Sequence, residues 1–250
     1  MVRGLDRFRE YFEGFEDQYV LIGGAACGIL FTSQEAQFRA TRDLDMVLIV
    51  EALTAEFGKK FWEFIKLGNY RNKTSNMGKP QFYRFDQPES EEYPKMIELF
   101  SRTDFTLREA HGITPVHVND AVSSLSAILL NDEYYQTLLD GKIVVNGLSV
   151  LKPEYLILFK AKAYLDLKAR KDSGENVDSR DIKKHKNDIL RIVTEFILKK
   201  TENLSEVVQT DISKFIVNLE MDPYDNNLLK NYGLNNSEMV ERLREIYMQE

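Results

Sequence analysis

A single cysteine, Cys27, is all the thiol in the 250 residues. That excludes a disulfide framework and a Cys/His zinc site, and a reducing, cytoplasmic setting is expected. Long apolar runs are missing too. The opening stretch "MVRGLDRFREYFEGFEDQ" is broken by charge every few residues, so neither a signal peptide nor a membrane span is expected from it. There is no internal repeat and no low-complexity tract. Positive charge is not in excess either: the net charge is −7, which argues against a surface built wholly for nucleic acid or an anionic membrane. What the chain does have is apolar content, 43% hydrophobic and 11% aromatic, enough to bury the core of one large domain or two small ones.

The charge is unevenly placed. Between Lys160 and Lys200 stand twelve Lys or Arg against seven Asp or Glu, so basic groups concentrate in one C-terminal segment. They read as a solvated helix face with i,i+4 pairs or as an electrostatic footprint for a polyanion.

Hydrophobic periodicity divides the chain near residue 150. Leu5, Phe8, Phe12 and Phe15 recur at helical spacing, "YVLI" reads as a buried strand, and Ala25 to Phe31 as a helix after two glycines. "LDMVLIV" is the next strand, and "EFGKKFWEFIKLG" an amphipathic helix with Phe57, Phe61, Phe64 and Ile65 on one side. "QFYRF" and "KMIELF" read as a strand pair, "ITPVHV" as a third short apolar stretch, "DAVSSLSAILL" as a helix, and Asn146-Gly147 as a tight hairpin. From Pro153 the pattern is nearly all helix: "PEYLILFKAKAYLDLKAR", a polar loop, "RDIKKHKNDILRIVTEFILKK", then two more around Leu204 to Leu219 and Ser237 to Met248. The expected class is α+β, a mixed β-sheet with flanking helices over residues 1–150 followed by a helical bundle over 151–250.

Asp43 and Asp45 sit one residue apart in the strand "RDLDMVLIV". On a strand they project to one face with their Cα atoms roughly 7 Å apart, while Leu44 points the other way. Two bare carboxylates there repel, and a divalent cation neutralises both, so Mg²⁺ or Mn²⁺ is the expected occupant. A third acid, Glu98, lies in "MIELF" between apolar neighbours, a costly place for a charge that faces no site. Three acids on neighbouring strands can hold two ions roughly 4 Å apart, a clamp for phosphoryl transfer. Gly23 and Gly24 end one strand before a helix, where backbone can approach a phosphate closely. Of the three histidines, His185 reads as a helix-surface residue, and His111 and His117 as structural or solvated.

Taken together, "LIGGAACGIL", "RATRDLDMVLIV" and "MIELF" resemble the nucleotidyltransferase superfamily that includes DNA polymerase β. Within it, "ILFKAKAYLDLKAR" followed by "SRDIKKHKNDI" looks most like the AbiEii-type toxins of type IV toxin–antitoxin systems. The resemblance spans roughly Val20 to Arg191. It implies a nucleotidyltransferase-like fold, with Gly23 and Gly24 at the phosphates, Asp43, Asp45 and Glu98 as catalytic metal ligands, and Glu98 as activator of the attacking hydroxyl. It also implies Lys160, or Lys162 in a shifted alignment, and Asp181 in the nucleotide pocket.

The reaction so implied moves a nucleoside monophosphate from a nucleoside triphosphate to a hydroxyl acceptor. That acceptor is RNA, such as a tRNA end, or a small hydroxylated molecule as in aminoglycoside-modifying enzymes, and an antitoxin encoded nearby is a possible partner. A glycosyltransferase using Asp-x-Asp to hold a metal and a nucleotide-sugar, and a nucleotide-binding module without turnover, are the readings from other classes.

Overall fold

The computed structural model describes residues 2–72, 82–100, 128 and 131–248. It divides into two compact units: Met1–Asn119 with Lys142–Lys152, and Asp120–Gly141 with Pro153–Glu250. The sequence places one boundary near residue 150. In the structure, residues 131–141 also go with the helices, and the chain returns to the sheet for one hairpin. The expected stretch "ITPVHV", His111 and His117 lie outside the described residues, as does the expected helix over 120–130 except for Ile128, which is buried.

The first unit is a seven-stranded mixed sheet with helices. Its elements are α1 (Leu5–Tyr11), β1 (Tyr19–Leu21), α2 (Gly23–Ser33), β2 (Asp43–Leu48), α3 (Ala55–Leu67), β3 (Arg71–Asn72), β4 (Phe82–Asp86), β5 (Met96–Phe100), β6 (Lys142–Val145) and β7 (Leu148–Leu151). The strand order is β3-β4-β5-β2-β1-β7-β6. β2 runs parallel to β5 and antiparallel to β1, and β1 is parallel to β7. The outer pairs β3/β4, β4/β5 and β6/β7 are antiparallel.

Local chemistry explains the ends of these elements. Thr54 caps α3 by accepting from the Phe57 amide at 3.1 Å, and Gln18 Oε1 accepts in turn from the Thr54 amide at 2.9 Å. Asn146 and Gly147 both hold positive φ, 51° and 74°, the left-handed pair a two-residue hairpin needs to match strand twist. α1 stops at Tyr11, one turn before the helical spacing suggested, yet Phe12 is still fully buried.

The apolar face of the sheet is set by register. Phe85 pairs with Ile97, and Ile97 with Leu44, and all three are buried. Phe85 meets Phe61 edge-on, ring centroids 5.6 Å apart, and Trp62 at 5.8 Å. Phe12 joins the same layer, 5.6 Å from Phe57 and 5.3 Å from Phe64. The i, i+4, i+7 stripe of α3 read in the sequence is thus the lid of an aromatic core.

The second unit comprises α4 (Asp132–Asp140), α5 (Pro153–Asp172), α6 (Ser179–Glu195), α7 (Glu206–Met221), the short α8 (Asn226–Lys230) and α9 (Asn236–Tyr247). α5 packs on α6 and α7, and α9 on α7. Pro153 opens α5, where its missing N–H costs nothing. α6 ends at Glu195, short of the expected Lys200, and Phe196 is extended. Near this end Thr194 Oγ1 donates to the carbonyls of Leu190 and Arg191, each at 3.0 Å, next to β-branched Ile192 and Val193, which are weaker helix formers. Asn235 and Glu238 form a capping box at α9.

Candidate active site

Alternation along β2 and β5 puts the acids on the face opposite the aromatic core. Asp45 pairs directly with Glu98 across the parallel ladder, while Leu44 and Ile97 in the next row point into the core. Glu98 in turn pairs with Arg84 on β4. One row of the sheet therefore reads Arg84, Glu98, Asp45 from strand to strand.

Glu98 is 5% exposed. Its Oε1 accepts from Arg84 Nε at 2.8 Å and also from Nη2, and it shares a hydrogen bond with Asp45. Burial, and then the charge of Asp45, push the Glu98 carboxyl up to about 8 against the opposite pull of Arg84. The shift favours the protonated form of Glu98, with Asp45 as a hydrogen-bond partner.

Gly23 completes the edge of this row. Its φ is 64°, and a Cβ there would overlap Asp45 Oδ2. The Ile22 amide donates to the Asp45 carbonyl at 3.0 Å, which fixes the start of α2 against β2. At Gly24 a Cβ would lie 2.7 Å from Thr41 Oγ1. Both glycines are needed because the backbone of α2 lies directly against side chains of the acid-bearing strand and the segment leading into it.

Asp43 is half-buried on the same face as Asp45, two rows along, with Met96 as its ladder partner. The structure thus brings Asp45, Glu98 and Gly23 into contact and sets Asp43 beside them. Among the described residues, no three His, Cys, Asp or Glu side chains are gathered as a closed metal cluster. The donor chemistry nonetheless suits a hard divalent ion, because the adjacent donors are the carboxylate oxygens of Asp45 and Glu98.

Lys160 and Asp181 belong to the second unit. Lys160 on α5 is 4% exposed and its ammonium donates to Asp188 Oδ2 of α6 at 2.8 Å. Lys162 pairs with Asp211 on α7 at 2.9 Å, and the Tyr134 hydroxyl donates to the same Asp211 oxygen at 3.1 Å. Asp181 is half-buried in the first turn of α6. Lys186 belongs with these buried groups rather than on the exposed face its position in a charge run suggests. It is 7% exposed and donates to Asp222 Oδ2 at 3.1 Å and the Pro223 carbonyl at 3.2 Å, at the end of α7. His185 is half-buried rather than a surface residue.

Two residues escaped the sequence reading. Arg84 was legible in principle: once "QFYRF" and "MIELF" are taken as an antiparallel pair, the lone cation of one falls opposite the lone acid of the other. Asp188 gave a fainter sign, an acid two turns after Asp181 and followed at once by the apolar Ile189 and Leu190.

No protein-family model and no curated protein sequence matches the chain. Among solved structures it is similar to an antigenic nucleotidyltransferase-like protein from Paracoccidioides brasiliensis, with a TM-score of 0.42 and 16% sequence identity over 88% of this chain and 94% of that one.

Proposed function

We propose that the sheet unit catalyses metal-dependent nucleotidyl transfer, moving a nucleoside monophosphate from a nucleoside triphosphate to a hydroxyl acceptor. The observation that carries this reading is the Asp45–Glu98 pair, seated on adjacent parallel strands against the glycine start of α2. Carboxylates and close backbone at one spot are what a triphosphate and its counter-ion need.

Asp45 and Glu98, with Asp43 beside them, are the residues that would hold Mg²⁺ or Mn²⁺, and the ion would supply charge neutralisation at the phosphates. Gly23 and Gly24 let the start of α2 lie against Asp45 and Thr41, which brings its backbone beside the acids where the phosphates would bind. Glu98 takes the proton of the acceptor hydroxyl, and Arg84 keeps its carboxyl aimed across the row toward Asp45. Positioning and fixed charge contribute most of the rate enhancement, since no covalent intermediate is required.

The acceptor we favour is RNA, on the strength of the exposed Arg180, Lys183 and Lys184 along α6. The test is incorporation of α-labelled nucleoside triphosphates into pooled tRNA and into small hydroxylated acceptors, with Mg²⁺ and with chelator. Label transfer that needs Mg²⁺ and Asp45 supports the reading. Consumption of a nucleotide-sugar in place of a triphosphate replaces it with a glycosyltransferase.

A further inference from the structure

We infer that Asp86, on the site face of β4, takes the hydroxyl beside the one that attacks, so that the acceptor enters by a vicinal diol such as a ribose end. This rests on the nucleotidyl-transfer reading above and names the acceptor group of that site.

Asp86 is a buried acid, 8% exposed, at the end of β4. Alternation fixes its face: Arg84 reaches Glu98, Phe85 packs edge-on against Phe61 in the aromatic core, and Asp86 returns to the side of Arg84. The ladders set it in a row that reads Arg71, Asp86, Met96, Asp43 from β3 to β2, two rows along from Arg84, Glu98 and Asp45. Asp86 and Glu98 are thus diagonal neighbours on one face of an antiparallel pair. That places them roughly 7–8 Å apart at the backbone, a gap two acidic side chains can close around one small group.

Asp43, Asp45 and Glu98 are taken up by the ion, and Arg84 by Glu98, so Asp86 is the acid of this face with no part in that work. Gly23 closes against Asp45 at the β1 side of the row. A nucleotide seated there meets its acceptor from the β4 side, where Asp86 stands. A carboxylate accepts hydrogen bonds and repels phosphate, so the group it suits is an O–H. In the reaction, the attacking oxygen bonds to the α-phosphorus and its proton passes to Glu98, while the electron pair of the breaking P–O bond leaves on pyrophosphate. Asp86 exchanges nothing; it accepts from the neighbouring hydroxyl and so sets the angle of attack. Further out in the same row Arg71 is exposed, and its guanidinium suits a phosphodiester. Diol first and phosphate next is the order of groups at the end of a ribonucleotide chain, and the 2′-hydroxyl is what separates that end from DNA.

The experiment measures transfer of α-labelled nucleoside triphosphates by the full chain, in Mg²⁺, to two oligoribonucleotides that differ only in whether the terminal ribose keeps its 2′-hydroxyl. The wild type is expected to favour the intact diol in kcat/KM by about tenfold or more, the scale of a hydrogen bond to a charged group. Asp86→Ala should bring the diol acceptor down to the level of the deoxy one, leave the deoxy acceptor where it was, and leave triphosphate Kd unchanged. Asp86→Asn keeps the shape, and its neutral amide oxygen should retain only part of the preference; it and the wild type decide the matter if the alanine variant does not fold. Equal use of the two acceptors by the wild type overturns the inference. So does a loss in Asp86→Ala that is the same for both, which is the mark of a structural role. Label transferred to another hydroxyl compound but to neither oligonucleotide also overturns it and leaves the nucleotidyl-transfer reading standing. No transfer to any acceptor overturns both.

Discussion

Arg84 and Glu98 face each other across β4 and β5, and two guanidinium nitrogens of Arg84 converge on the one oxygen Glu98 Oε1. The other side of that carboxyl belongs to Asp45. Glu98 is thus held from two sides by groups of opposite charge.

That arrangement separates positioning from chemistry. Arg84→Met is expected to cost about 1–3 kcal/mol of stability, the penalty for leaving one partner of a buried charged hydrogen bond behind, and to lower kcat while leaving triphosphate Kd nearly unchanged. Arg84→Lys should restore part of the stability and little of the rate, because an ammonium cannot reproduce the two-nitrogen geometry. Urea melts and single-turnover transfer assays check both, and an Arg84→Met enzyme of wild-type kcat would remove the positioning role.

Asp45→Asn keeps the shape of the side chain and deletes the charge that pushes the Glu98 carboxyl upward. Nucleotidyl transfer should fall by at least about 100-fold, the loss typical of a removed transition-state contact. The metal-free protein should melt no lower than the wild type, since a repulsion is relieved. Equal turnover at saturating Mg²⁺ is the result that sinks the metal mechanism.

Lys160 and Asp188 have side chains 5% and 1% exposed, joined between α5 and α6. Lys160→Met strands a buried carboxylate, and the expected loss is about 3–5 kcal/mol. Adding Asp188→Leu should recover most of it. If Lys160→Met instead leaves stability intact and weakens triphosphate binding, the lysine acts on the nucleotide, as the sequence resemblance implied, and its pairing with Asp188 is incidental.

Alkaline pH should unfold the chain through its tyrosines. Burial, before any other cause, pushes Tyr11 and Tyr164 up to about 12 and Tyr224 and Tyr247 well above 10. The folded state therefore holds protons that the unfolded chain gives up above 10. The stability these groups contribute is complete below that point and is lost as pH rises toward and past 12. Phenolate absorbance followed together with circular dichroism should show the buried fraction ionising with unfolding. Ionisation of all twelve tyrosines in a still-folded protein would contradict it.

The sheet half of the fold was readable where one residue type settles backbone geometry. Asn146-Gly147 signalled a tight turn, and Phe57, Phe61 and Phe64 recur at the spacing of one helix face. The acids were readable because alternation places Asp43 and Asp45 together and because Glu98 stands among apolar neighbours. What stayed hidden depends on contacts distant in sequence. The burial of Lys186 depends on the end of α7, 36 residues away, and no local pattern separates such a lysine from a solvated one. The assignment of α4 to the helical unit depends in the same way on packing against α5 and α7.

The alternation of the two rows on β2 and β5 has a consequence for how the chain finds its native state. Leu44, Ile97 and Phe85 form one row, and Asp45, Glu98 and Arg84 the next. A slip of a strand by a single residue exchanges them. The charged group of that strand would then enter a layer of phenylalanines, and its large apolar neighbour would face the mouth of the site. Mispaired intermediates are driven apart by desolvation before they can consolidate. The charged row that performs the chemistry therefore also aligns the strands, so a variant that neutralises all three groups would lose fidelity of pairing along with activity, and more of it would collect in misregistered, aggregation-prone forms during refolding.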